Sequence, residues 1–402
     1  MSGFDTGSTA FMLLATSLVM LMTPGLAFFY GGLASKRNIL GIMIQSFVSL
    51  GITTILWYTM GYSLCFSGNG PIIGNFDHLF LRGIDSLTPF GNGDIPLLLF
   101  IAYQMMFAII TPALITGAFT GRVSFKAYLI FLVLWQIFVY YPFAHMIWGG
   151  GILAQWGVMD FAGGIVVHVT AGFAALASVF FVGARKEKIS KPNSIPLVAI
   201  GTGLLWFGWY GFNAGSELRV DNITALAFLN TDVAASFATV TWLIIEWSRE
   251  GKPKFIGLMT GAVAGLATIT PAAGFVPVWA AALIGIISST FCYYAVHLKN
   301  KLQWDDALDV WGVHGVGGLT GTILLGVFAS NAVNGNIVDG LLLGNSSFFF
   351  KQLVAGVIGA VYAFVFTYIM LWVINKITLV RVSEAEEVAG LDASQHQEDA
   401  YT

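Results

Sequence analysis

Residues 160–185 read DFAGGIVVHVTAGFAALASVFFVGAR. Between Asp160 and Arg185 every residue is apolar, small or hydroxylated except His168. A run of this kind meets the roughly 17–25 residues that an α-helix needs to cross a bilayer, and here it carries an ionisable group near its middle. Such a group is costly in hydrocarbon and is by default a functional candidate. The chain repeats the arrangement at 305–318, DDALDVWGVHGVGG. Asp306 precedes His314 by the same interval that separates Asp160 from His168, and Gly172 and Gly318 each follow their histidine by one helical turn.

The rest of the chain fits a membrane protein. Of its 402 residues 57% are hydrophobic and 10% charged, with mean hydropathy +0.80, against about 45–50% and about 25% in soluble domains. This excludes disorder and a disulfide-rich secreted scaffold, and a net charge of −3 gives no reason to expect a nucleic-acid partner. Cys65 and Cys292 are too few for a disulfide framework or a zinc site. No carboxylate cluster or carbonyl ring suits a hard metal ion, so neither metal nor cofactor is expected.

The apolar runs predict an all-α polytopic protein of eleven spans, near 8–30, 39–66, 97–119, 126–148, 162–183, 196–216, 224–248, 255–273, 278–297, 310–330 and 349–375. Residues 1–375 form the transmembrane domain and 376–402 a polar, acidic tail; 67–96 is a polar loop. The tail is expected either as a solvated end or as a docking surface. Residues 1–9 contain Asp5 and no Lys or Arg, so the first run reads as a retained span rather than a signal peptide. With the N-terminus outside, all 18 Lys and Arg except Arg82, Arg219 and Lys351 fall on the inner side. They are Lys36, Arg37, Arg122, Lys126, Arg185, Lys186, Lys188, Lys191, Arg249, Lys252, Lys254, Lys299, Lys301, Lys376 and Arg381. The positive-inside rule therefore predicts N-out, C-in in a cell membrane.

Two further pairs support an internal repeat. Ile-Thr-Pro-Ala occurs at 110–113 and 269–272, and Tyr-Gly at 30–31 and 210–211. Each pair is offset by five spans. An odd offset inverts the second copy, so the expectation is two inverted five-helix repeats, about 8–183 and 196–330, plus a C-terminal helix at about 349–375. Eight helical residues rise about 12 Å, which carries His168 and His314 in from opposite faces to a common depth in a core about 30 Å thick. His145 has no repeat mate and is expected to pack or cap, and Asp160 to cap the helix it begins. Phe107, Trp148, Phe212 and Ser216 gather near the outer ends of spans 3, 4 and 6. An aromatic belt explains Trp148 but not Phe107, which lies deep in its span. The alternative is a small-cation site of aromatic faces and a hydroxyl.

These segments also resemble the ammonium transporter (Amt/Mep/Rh) family, in its microbial branch. The resemblance runs through PGLAFFYGG (24–32), YQMMFA (103–108), FAHMIWGGG (143–151), the 160–185 segment, GWYGFNAGS (208–216), TPAAGF (270–275), DDALDVWGVHGVGG (305–318) and GLDASQH (390–396). It implies a homotrimer with a narrow pore in each subunit and no enzymatic activity. It places Trp148, Phe107 and Ser216 on an outer ammonium-recruiting site, Phe107 and Phe212 on a stacked gate, His168 and His314 on a twin-histidine pair, Trp209 on a nearby aromatic wall, and Asp160 on a structural and functional aspartate. The tail resembles the segment that meets PII-type signalling proteins, but carries Gln397 where many relatives have glycine. The expected function is conduction of ammonia or ammonium into the cytoplasm. The rivals are an Rh-like gas channel, an ammonium sensor, and a membrane haem protein using both histidines as axial ligands.

Overall fold

The structure is a computed structural model, and it describes residues 3–91, 93–186 and 191–401. Lys188 lies outside the described residues. Among the described residues eleven helices run between two faces: α1 (Thr6–Leu33), α2 (Ile39–Phe66), α3 (Leu97–Phe119), α4 (Phe125–Trp135 continued by Gln136–Tyr140 and Tyr141–Ile147), α5 (Gly164–Val182), α6 (Ile195–Ala214), α7 (Asn222–Glu250), α8 (Phe255–Ile269), α9 (Val278–Lys301), α10 (Trp311–Phe328) and α11 (Ser346–Ile377). All but α8, which has 15 residues, are long and apolar enough to cross a bilayer. The expected 255–273 span is shorter because Pro271 follows the helix and cannot continue its hydrogen bonding.

The same tetrapeptide behaves differently in α3, where Pro112 stays inside the helix. Proline removes the hydrogen bond to the carbonyl four residues back. That carbonyl, Ala108 O, accepts instead from Gln136 Nε2 of α4. A lateral amide thus satisfies the group that proline leaves free.

The polar connections gather on the two faces. On one, the first residues meet the 67–96 loop, with Asp5 N donating to Asp94 O (3.0 Å), and Ile152 N donates to Pro71 O (2.7 Å). On the other, the basic face, the tail does not stand free in solvent. Val382 N donates to Arg122 O (3.0 Å) and Ser124 N to Val380 O (2.9 Å). Arg381 pairs with Glu387 (2.8 Å) and Lys186 with Glu384 (3.2 Å). The tail helix α12 (Glu384–Ala389) leads to Asp392, whose carboxylate accepts from Leu40 N (3.0 Å) and Gly41 N (2.7 Å) in the first turn of α2. Asn38 makes no side-chain cap there and instead accepts from Leu391 N (2.8 Å). Gln397 adopts φ 57°, a left-handed conformation that costs residues other than glycine roughly 1–2 kcal/mol.

Candidate functional site

The histidine helices begin with the same device. The Asp160 carboxylate accepts from the backbone N–H groups of Gly163 (2.8 Å), Gly164 (2.6 Å), Ile165 (2.7 Å) and Val166 (3.1 Å). Asp306 accepts from Val310 (3.1 Å) and Trp311 (2.8 Å). Both satisfy donors that a helix start leaves free. Each helix then opens with a wider π-helical stretch holding the histidine, Gly164–Val169 and Trp311–Gly315. Such stretches recur at functional sites.

The glycines one turn beyond the histidines are the crossing point. A Cβ on Gly172 would lie 2.1 Å from Gly315 N, and one on Gly318 would lie 2.7 Å from the His168 Cβ and 2.8 Å from Gly164 O. Only hydrogen in place of a side chain lets α5 and α10 approach so closely. The approach brings His168 Nδ1 and His314 Nδ1 to 3.2 Å, with rings 5.2 Å apart and nearly parallel at 13°. One ring donates and the other accepts. His168 Nε2 has no protein partner among the described residues.

Both histidines are buried and face a constricted cavity of ≈ 10 Å³ with Trp209, Phe212, Leu114 and Val263. The Trp209 ring lies 5.5 Å from that of His168, nearly parallel, and is fixed by Nε1 donating to Thr270 Oγ1 (2.9 Å). His314 also lines a second small cavity (≈ 40 Å³) toward the basic face, with Tyr30, Thr260 and Asp309. Toward the opposite face the rings of Phe107 and Phe212 are 4.3 Å apart, both 1% exposed, and separate the histidines from a vestibule of ≈ 540 Å³.

Phe107, Trp148 and Ser216 line that vestibule together with Gln104, Phe161 and Leu218. Trp148 meets Phe107 edge-on at 5.8 Å and donates its Nε1–H to Asp160 O (2.8 Å). Ser216 Oγ donates to Phe212 O (2.9 Å) and lies 3.2 Å from the Tyr103 hydroxyl. The expected residues thus come together along one line, except Asp160, which does not line the vestibule. Its side chain faces the start of α5, and it touches the site through the carbonyl that holds Trp148. His145 ties α4 to the end of α2, with Nδ1 2.9 Å from Cys65 O, and to the 67–96 loop, with Nε2 2.7 Å from Gly70 O. Among the described residues no group of His, Cys, Asp and Glu has the arrangement of a metal site.

Known proteins share this architecture. Residues 10–401 match the model of the Ammonium Transporter Family. The chain is 44% identical to an ammonium transporter of Bacillus subtilis over 403 residues, covering 98% of each chain. It is 46% identical to an ammonium transporter of Aquifex aeolicus over 401 residues, covering 99% of this chain and 94% of that one. Its structure resembles the crystal structure of Candida albicans Mep2 with TM-score 0.90 and 36% identity, over 95% of this chain and 87% of that one. The similarity extends to the structure titled "Sensor Amt Protein", with TM-score 0.89 and 28% identity over 97% and 98% of the two chains. The chain therefore belongs to the ammonium transporter family, as a multi-pass membrane protein of the Amt/Mep fold.

Proposed function

We propose that this transporter recruits ammonium at the Trp148, Phe107 and Ser216 vestibule, passes its nitrogen between Phe107 and Phe212, and delivers it past His168 and His314 to the cytoplasm. The face with the basic loops is the cytoplasmic one, by the positive-inside rule, and the membrane is the cell membrane. The observation that carries this reading is the 3.2 Å histidine contact in a ≈ 10 Å³ cavity behind two packed phenylalanines. A bare cation in such apolar surroundings loses its hydration without replacement, at a cost of several kcal/mol or more. Transfer of one proton to water in the open vestibule removes most of that cost for the nitrogen. Ammonia then crosses as a neutral molecule that both donates and accepts hydrogen bonds, and His168 Nε2 is available to it.

Paired measurements on liposomes reconstituted with the wild type and with Trp148→Leu test the recruitment step. Cation–π attraction is worth about 0.5–2 kcal/mol, so the variant should show weaker apparent affinity for ammonium and methylammonium, with folding retained. Unchanged affinity would remove Trp148 from the site. The resemblance to Amt proteins supports a homotrimer, which the mass of the detergent-solubilised protein tests. A PII-type protein is the proposed cytoplasmic partner, since the docked tail forms part of the basic face. Deleting residues 384–402 should then alter regulation, and absence of binding to any PII-type protein in every nucleotide state would refute the partnership.

A further inference from the structure

The turn that brings Ser216 to the vestibule is held in a conformation its sequence does not favour. Between α6 and α7, Leu218 adopts φ 62° and ψ 13°, a left-handed region that glycine enters freely and residues with a Cβ rarely do. Such a residue persists where its surroundings over-determine it. Here an arginine clamp does so. Arg219 pairs with Glu217 (3.0 Å) and with Asp221 (2.8 Å), the residues that flank the strained position. The second oxygen of Asp221 accepts from Ile223 N (2.8 Å) and Thr224 N (3.1 Å) in the first turn of α7. Thr224 Oγ1 donates to Arg219 O (2.6 Å), and Leu218 N donates back to Gly215 O (2.9 Å). The Glu217 side chain is only 8% exposed, so the clamp is not a loose ion pair in open solvent.

Leu218 is half-buried and lines two cavities. One is the vestibule, with Ser216 and Trp148, and the other is an outer basin of ≈ 370 Å³ with Asp94, Glu217, Arg219 and Asn336. Phe90 is common to the same two linings, so the wall between polar basin and vestibule is apolar. We infer that Leu218 is a specificity-determining residue, fixed by the Glu217–Arg219–Asp221 clamp as the wall that limits which cation fits beside Ser216. The inference rests on the recruitment reading and deepens it. Glycine at this position would relieve the strain and open the wall, so the leucine side chain is what the strained turn maintains. Ammonium and methylammonium carry the same charge, and both can meet Ser216 Oγ and the faces of Trp148 and Phe107. They differ by one methyl group, which needs the space that Leu218 fills. One such group against an apolar wall is worth about 10–200-fold in discrimination.

The test measures initial uptake of ammonium and of methylammonium by liposomes holding equal amounts of folded wild type, Leu218→Gly, Leu218→Met, Arg219→Gln or Trp148→Leu. The readout is the ratio of the two KM values, in which effects of charge cancel because both ions are monovalent. Leu218→Gly should lower the ratio of methylammonium KM to ammonium KM about tenfold. Leu218→Met, which restores bulk, should recover most of the discrimination. Arg219→Gln releases the clamp and should shift the ratio in the same direction by a smaller factor. A wild-type ratio in Leu218→Gly with raised KM for both ions in Trp148→Leu would overturn the role of Leu218 and leave the vestibule reading intact. A wild-type ratio in Leu218→Gly with unchanged KM in Trp148→Leu would overturn both. A shifted ratio in Leu218→Gly with a wild-type ratio in Arg219→Gln would overturn the positioning role of the clamp. If Leu218→Gly does not fold, Leu218→Ala decides by the same ratio, and a wild-type value there contradicts the inference.

Discussion

At the start of α5 the Asp160 carboxylate accepts four backbone N–H groups, and among the described residues no charged side chain is hydrogen-bonded to it. At the start of α10 Asp306 accepts two, in a setting crowded with charge. There Lys299 donates to Asp306 O (2.7 Å) and pairs with Asp309 (2.7 Å), and Arg122 and Arg185 pair with the adjacent Asp305 (3.4 and 2.5 Å). One backbone device is therefore used in two electrostatic environments. On the vestibule side the carboxylate is compensated by peptide dipoles alone, which leaves negative potential beside a chamber proposed to receive a cation. On the basic face the charge is neutralised locally. The inverted repeat conserves helix geometry while the two ends differ in electrostatics.

The comparison breaks most visibly at Asp160. Asp160→Ala strands four buried N–H groups, and at about 1–3 kcal/mol each before partial relaxation it should cost several kcal/mol and displace Trp148. Thermal unfolding together with ammonium uptake should show a large loss of both. A variant of wild-type stability would mean that the four bonds contribute little. Asp306→Asn should do less, because one oxygen can still accept. Burial pushes Asp306 up to about 6 from its ordinary 3.8, against the opposing influence of Lys299. A carboxyl raised in the folded state contributes stability that is present at low pH and is lost as pH rises through about 6. The wild type should accordingly lose stability relative to Asp306→Asn between about pH 4 and about pH 6, read from unfolding midpoints across that range. A flat difference would contradict the assignment. The smallest effect is expected at the tail. Asp392→Ala removes a cap worth about 0.5–2 kcal/mol, and should speed hydrogen exchange in residues 384–401 while leaving that of α5 unchanged.

Much of this was legible in the sequence because hydrophobic length and motif spacing are local quantities. The apolar stretch of 160–185 foretold α5 nearly to the residue, and the intervals Asp160–His168 and Asp306–His314 foretold that the two rings would meet. Gly172 and Gly318 were visible as small residues, although only the structure shows that each makes room for the opposite helix. What escaped depends on neighbours distant in the chain. The repeated Ile-Thr-Pro-Ala is identical in both copies, yet Pro112 remains helical where Gln136 relieves Ala108 O, and Pro271 follows the end of its helix. The π-helical turns at the histidines leave no pattern in composition. Polarity alone leaves the tail open as a solvated end or a docking surface, and it gives no sign that Asp392 finds the first turn of α2 some 350 residues away.

The central claim is that the His168–His314 pair conducts rather than merely joining α5 to α10. Nitrogen flux and electrical current, measured together in liposomes holding equal amounts of folded wild type, His168→Leu and His314→Leu, test it most directly. Each apolar replacement interrupts the hydrogen-bonded file between vestibule and basic face, so flux, or the ratio of current to flux, should change in both variants while the folded fraction and oligomeric mass hold. Wild-type flux, current and selectivity in both well-folded variants would contradict the claim and leave the 3.2 Å contact as a structural hydrogen bond.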